Sequence, residues 1–175
     1  MLEDDGTLIK SILLGDEQAM EMLVRRYYDE IFNYIYRLGS SYEEAKDITQ
    51  EVFIAMLKAL PTYKEQGSFK AWLFKIAHNH TMNSFRKNKH FISFSIEHEN
   101  VKVGADISEH IANQSVVKEM LNALPYTQKN TIILKYIYGF TAKEIAKITG
   151  TPIPTVKSRL RQGLEKVKKQ MREGK

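Results

Sequence analysis

The sequence predicts an all-α protein of two small helical domains joined by a flexible linker, the C-terminal one containing a helix-turn-helix. Three observations predict it. Apolar residues recur every three or four positions through almost every segment, the period of a helix with one buried face. No alternating strand pattern of useful length occurs outside Phe91–Ile96, which is too short to weigh. One stretch in the middle, HFISFSIEHENVKVGADISEHIAN, has no sustained period and mixes charge with small residues. Aperiodic connections of roughly 25 residues are uncommon inside a compact domain, so this one divides the chain. The expected division is 1–88, a linker over 89–113, and 114–175.

In chain order, a short apolar segment, Leu8 to Leu14, is expected to pack on the first long helix. That helix runs from about Asp16 to Leu38, with Ala19, Leu23, Tyr27, Ile31, Tyr34 and Leu38 on one face, and Gly39-Ser40 breaks it. The second runs from Tyr42 to Leu60 on a stripe of Ala45, Ile48, Val52, Met56 and Ala59, and Pro61 closes it. The third starts after Gly67 and continues to about Lys87. In the second domain, Val116, Val117, Met120, Leu121 and Leu124 make a helix ended by Pro125. Residues 128–138 make another.

The most specific stretch is Thr141 to Leu164, TAKEIAKITGTPIPTVKSRLRQGL. Thr141 can cap a helix, with Glu144 three residues on completing a capping box. Ile145, Ala146 and Ile148 fall at helical spacing, and Gly150 ends the helix in the left-handed conformation. Proline is tolerated in a first helical turn, so the next helix starts close to Pro154. Its apolar positions, Val156, Leu160, Leu164, Val167 and Met171, form one stripe expected to be buried. Lys157, Ser158, Arg161 and Gln162 lie on another face near the helix start. Two short helices and a tight turn are the layout that lays one helix in the DNA major groove. An ordinary amphipathic helix with a solvated basic face is the competing reading. Against it stand seven Lys/Arg and one acid between Pro152 and Arg172. The exposed types also suit bases and phosphates: Arg with guanine, Gln with adenine, Ser and Lys with phosphate oxygens.

Composition narrows the class. Of the 175 residues, 43% are hydrophobic and 27% charged, as in a soluble globular protein. There is no cysteine, hence no disulfide framework and no thiolate metal site. No apolar run approaches a membrane span, and the N-terminus lacks a signal-peptide pattern, so a cytoplasmic location without membrane insertion is expected. The net charge of +5 hides a gradient. Residues 1–60 hold 6 Lys/Arg against 12 Asp/Glu, residues 61–113 hold 7 against 5, and residues 114–175 hold 13 against 4. The last third is built to approach a polyanion, while the first would be repelled by one and suits a basic protein.

Two further faces carry candidate residues. Residues 67–96 contain no acid but three histidines and interleaved Lys, Arg, Phe and Trp, a mixture that suits single-stranded nucleic acid. On the third helix Phe69, Trp72, Leu73, Ile76 and Ala77 are expected in the core. Lys75, His78, Asn79, Met82 and Arg86 on the opposite face are the contact candidates. His78 and His80 point to different faces and cannot easily share a metal ion, so no metal and no cofactor is expected. On the second helix Asp47, Gln50, Glu51, Ile54 and Lys58 form an exposed stripe. It reads either as plain solvation or as an interface for basic side chains.

Taken together, Asp47-Ile-Thr-Gln-Glu-Val-Phe53, Phe69-Lys-Ala-Trp-Leu-Phe-Lys-Ile-Ala-His-Asn79, Leu124-Pro125 and Thr155-Val-Lys-Ser-Arg-Leu160 resemble the extracytoplasmic-function (ECF) group of the sigma-70 family. These are bacterial RNA polymerase specificity subunits, and the resemblance covers nearly the whole chain in the right order. It implies a non-catalytic initiation factor, monomeric when free, that binds core RNA polymerase through the beta-prime coiled coil and the beta flap. It implies core-polymerase contacts at Asp47, Gln50, Glu51, Phe53 and Ile54. It implies minus-10 promoter contacts at Tyr63, Lys70, Lys75, His78, Asn79 and Arg86. Minus-35 contacts are implied at Lys135, Lys157, Ser158, Arg161 and Gln162, and an anti-sigma protein as a further partner. His78 stands where the family usually has arginine, Ala142 where it has a larger residue, and Pro154 where it has a glycine or serine-like one. A stand-alone helix-turn-helix repressor or activator is the alternative; such proteins usually dimerise on symmetric sites. An enzyme is not expected, since no Gly-rich phosphate loop, cysteine nucleophile or cluster of metal ligands is present.

Overall fold

The computed structural model describes residues 4–64, 67–87 and 117–173. The linker expected over 89–113, with Phe91–Ile96, lies outside the described residues. Eight helices account for the described fold: α1 (Asp5–Leu13), α2 (Glu17–Leu38), α3 (Tyr42–Ala59), α4 (Phe69–Lys87), α5 (117–122), α6 (Tyr126–Ile132), α7 (Ala142–Thr149) and α8 (Ile153–Glu173). No strand occurs among the described residues.

Local chemistry sets the boundaries. Asp4 and Asp16 cap α1 and α2 by accepting from backbone amides of the first turn, satisfying donors that the helix leaves unpaired. Ser41 and Glu44 form a capping box at α3, and Gly39, at φ 122°, makes the turn before it. The α2 stripe is buried throughout, from Ala19 and Leu23 to Tyr34 and Leu38. With Ile48, Val52, Met56, Leu73 and Ala77 from α3 and α4 it makes the N-terminal core, on which Leu8 and Ile9 of α1 close. Ala59, Trp72 and Ile76, expected with that core, are only half-buried.

The C-terminal domain departs from its expected outline. The helix expected over 128–138 begins earlier, at Tyr126, and passes at Ile133 into a π-helical turn that runs to Ile137. A π turn inserts an extra residue and shifts the helical phase of the residues after it. Tyr136 and Ile137 are left exposed, while Tyr138 and Phe140 pack against the N-terminal domain. Thr141 and Glu144 form the anticipated capping box of α7, and Gly150 ends it at φ 65°. Along α8 the expected buried stripe holds only in part. Val156 is buried, Leu160, Leu164 and Val167 are half-buried, and Met171 is 56% exposed, because the helix runs on past the elements that cover its start.

The two domains are not held apart. Apolar residues of both make one continuous core. The join lies between α2 and α4 on one side and α6, the π turn and α7 on the other.

Candidate functional site

Three faces carry the candidate residues, and each is built differently. On α3, Asp47, Gln50, Glu51, Ile54 and Lys58 are all exposed on one side, and Ile54 is 54% exposed. An open stripe of two carboxylates with an exposed isoleucine has the makings of a docking surface rather than a core face. Phe53 does not belong to it. Its side chain is buried and stacks on Tyr28, ring centroids 6.0 Å apart, because the next position round the helix faces α2. Sequence spacing did not reveal His80 as a neighbour of this stripe. From α4 its Nδ1 lies 3.4 Å from Glu51 Oε2, across a groove that Asp47, Asn83 and Lys87 also line.

On α4 the candidates divide. Lys75, Asn79 and Arg86 are exposed. Tyr63 is half-buried, 4.7 Å from Trp72 and 5.6 Å from Phe69 between ring centroids. Lys70 forms an ion pair with Glu30 at 2.6 Å and lies 5.8–5.9 Å from the ring centroids of Phe74, Tyr138 and Phe140. An ammonium over aromatic faces is attracted by their quadrupoles.

His78 is the clearest correction to the sequence reading. It was expected on an outward face and is buried, 8% exposed. Its Nδ1 accepts from Asn130 Nδ2 at 3.2 Å and lies 3.4 Å from the Tyr34 hydroxyl, which donates to Asn130 Oδ1 at 3.0 Å. The reason is the neighbouring domain: α6 covers this side of α4. Burial, and secondarily the Arg86 charge, lowers the imidazole pKa to about 4, which matches a neutral ring with Nδ1 as acceptor. Around this polar centre, Phe74 packs on Tyr138 and Phe140 at 4.8 and 5.0 Å. The Tyr138 hydroxyl bridges Arg37 and the Glu30 carbonyl, each at 3.1 Å. None of these partners was legible as such in the sequence.

On α8, Lys157, Arg161 and Gln162 are exposed and Ser158 is half-buried, all within three turns of the helix start; Lys135 of the π turn is half-buried. Gln162 is not free. Its Oε1 accepts from Nε2 of Gln128 in α6 at 3.0 Å, and its Nε2 donates to Ser158 Oγ at 3.1 Å. Gly163, behind this face, is buried, and a Cβ there would stand 2.6 Å from Ile132 Cδ1, so α6 and α8 approach closely.

An acidic docking stripe, a basic-aromatic helix and a helix-turn-helix thus occur in one chain. Residues 23–91 match the family Sigma-70 region 2, and residues 115–167 match Sigma-70, region 4. The chain belongs to the sigma-70 family. Within it the likeness is to ECF members. The chain is 29% identical to the ECF RNA polymerase sigma factor SigW of Bacillus subtilis over 94% of its own length and 95% of that protein's. It is 28% identical to the ECF RNA polymerase sigma-E factor of Escherichia coli, covering 93% and 92%. Two solved structures share the fold. One is CnrH in complex with the cytosolic domain of CnrY, at a TM-score of 0.74, 20% identity and 98% and 99% coverage. The other is RpoE of Bartonella quintana in complex with the anti-sigma factor NepR, at 0.72, 23%, and 87% and 96%. This sigma factor directs RNA polymerase to promoters. A stand-alone repressor would account for the C-terminal match and leave the N-terminal one unexplained. No helix among the described residues is long and apolar enough to cross a membrane, and no group of three metal-ligating side chains is assembled among them.

Proposed function

We propose that the chain divides initiation between its domains, in the cytoplasm and without catalysis. Asp47, Gln50, Glu51 and Ile54 grip core polymerase at the beta-prime coiled coil, and the C-terminal domain meets the beta flap. Lys157, Ser158, Arg161 and Gln162, with Lys135 beside them, read the minus-35 duplex. Tyr63, Lys70, Lys75, Asn79 and Arg86 capture the minus-10 strand as it opens. The observation that carries this reading is the separation of two open faces of opposite charge: the acidic one on α3 and the basic one on α8.

Strand capture carries a condition. Lys70, paired with Glu30 of its own domain, lies against Tyr138 and Phe140, and His78 lies under Asn130, so this face is uncovered when the C-terminal domain leaves α4. Opening duplex costs on the order of 1–2 kcal/mol per base-pair step, which binding to polymerase and to the freed strand must offset. An anti-sigma protein is a fitting further partner, since the RpoE relative of known structure is bound to one and this chain shares its fold.

The test is run-off transcription with purified core enzyme on fragments of the source genome. Promoter-specific product that depends on the added chain is expected, with no nucleotide hydrolysis by the chain itself. A stable homodimer that ignores core polymerase in a pull-down would overturn the reading.

A further inference from the structure

Glutamine on a recognition helix ordinarily reads adenine in two bonds, donating to N7 and accepting from N6. Here the carbonyl that such a contact needs is already engaged. The Gln162 carbonyl is turned onto Gln128 Nε2 at 3.0 Å, and Gln128 is itself buried in α6. The amide orientation of Gln162 is therefore fixed: Oε1 faces inward and Nε2 faces along α8, donating one proton to Ser158 Oγ at 3.1 Å. A hydroxyl that has accepted such a bond retains its own proton for a different partner. What remains on the outer face is the second amide proton of Gln162 and the hydroxyl of Ser158, which keeps its proton and one lone pair. Lys157 and Arg161 beside them carry donors and no acceptor.

We propose that Gln128 is a positioning residue that turns the amide protons of Gln162 outward, so that α8 favours major-groove edges rich in acceptors: guanine N7 and O6, or thymine O4, over the adenine or cytosine amino groups. The inference rests on the proposed role of α8 as the helix that meets the upstream duplex. Gln128 is well placed for the task. It lies one helix behind the contact face, in a groove with Glu165, Lys166 and Lys169, and is hydrogen-bonded to the recognition face through Gln162. Its own Oε1 is buried with no hydrogen-bond partner among the described residues.

Two variants at this position make opposite demands on the relay. Gln128→Glu offers only acceptors. Gln162 must then turn its Nε2 inward and its Oε1 towards Ser158, whose hydroxyl donates to it and shows lone pairs outward. The face gains an acceptor and should favour adenine or cytosine. Gln128→Leu removes the relay, frees the amide to rotate and admits the two-bond adenine contact.

The experiment is run-off transcription by full-length chain and core polymerase from a template library randomised in the upstream element, with the transcribed templates sequenced. Gln162→Ala first identifies the base pair whose preference depends on Gln162. At that base pair the unsubstituted chain is expected to favour guanine or thymine. Gln128→Glu should shift the preference by roughly tenfold towards adenine or cytosine. Gln128→Leu should relax it, and the other positions should keep theirs. If both Gln128 variants depress all templates evenly, or if the unsubstituted chain favours adenine there, the positioning role is wrong. If Gln162→Ala leaves every upstream preference intact, the positioning role is wrong; if Arg161→Ala does so as well, the underlying assignment of α8 fails.

Discussion

Two neighbouring helices, α3 and α4, hold their candidate residues in opposite states. On α3 the acidic stripe is open to any partner that arrives. On α4, Lys70 and His78 are already engaged by the C-terminal domain, through Tyr138 and Phe140 in one case and Asn130 in the other. The difference teaches an order of events. On the proposed roles, the surface for the transcribing enzyme needs no rearrangement, whereas the surface for opened DNA is uncovered only when the domains part.

The sharpest break of that comparison lies within α3 itself. Phe53→Ala should lower unfolding stability by about 3–5 kcal/mol in a urea titration, as truncation of a buried aromatic does. Ile54→Ala, one residue on, should change stability by less than about 0.5 kcal/mol and weaken only polymerase binding. Asp47→Lys with Glu51→Lys should cost about 2–5 kcal/mol of affinity for core polymerase in a binding titration, since like charges would then face the partner. Free-chain DNA binding should not fall. Arg161→Ala should weaken specific upstream recognition by roughly 1–3 kcal/mol, read by footprinting of the assembled enzyme, with core affinity unchanged. Should the charge-reversed and Arg161 variants lose the same step, the division between the two faces is wrong.

The smallest effect concerns closure. His78 has an ordinary pKa of 6.5 that closure lowers to about 4. The opened form therefore binds more protons between those values. Closure is favoured in full above pH 6.5 and weakens as the pH falls towards 4. A fluorophore pair on α1 and α8 should report increasing separation over that window, and His78→Phe should flatten the slope. A separation that grows on raising the pH would contradict the buried neutral ring.

Much of this was legible because it is local. Capping residues, glycines and prolines act within a turn of where they stand, and the α2 stripe fixed its buried face by period alone. Asp47, Gln50, Glu51 and Ile54 were readable as one face for the same reason. Phe53 was misassigned because a motif reports which residues matter and not which way each points. His78, Tyr138, Phe140 and Asn130 were opaque for a different reason. Their partners lie about 40 to 100 positions away in sequence, and helical period carries no information about which outer face a second domain will cover. The π turn escaped notice too, since residues 132–138 are apolar or aromatic at every position but Lys135 and so show no stripe whose phase could be seen to shift.

The Tyr34–His78–Asn130 triad has a bearing on reversibility. Where two domains meet through oily surfaces alone, prising them apart exposes apolar area at a steep penalty. Here the middle of the contact is hydrogen-bonded, and when it comes undone water can take each vacated place, at a net loss near 1 kcal/mol per bond. The flanking contacts of Phe74 with Tyr138 and Phe140 supply the adhesion, and the polar centre adds register. Under the proposed function, that suits a join that opens when the chain meets polymerase.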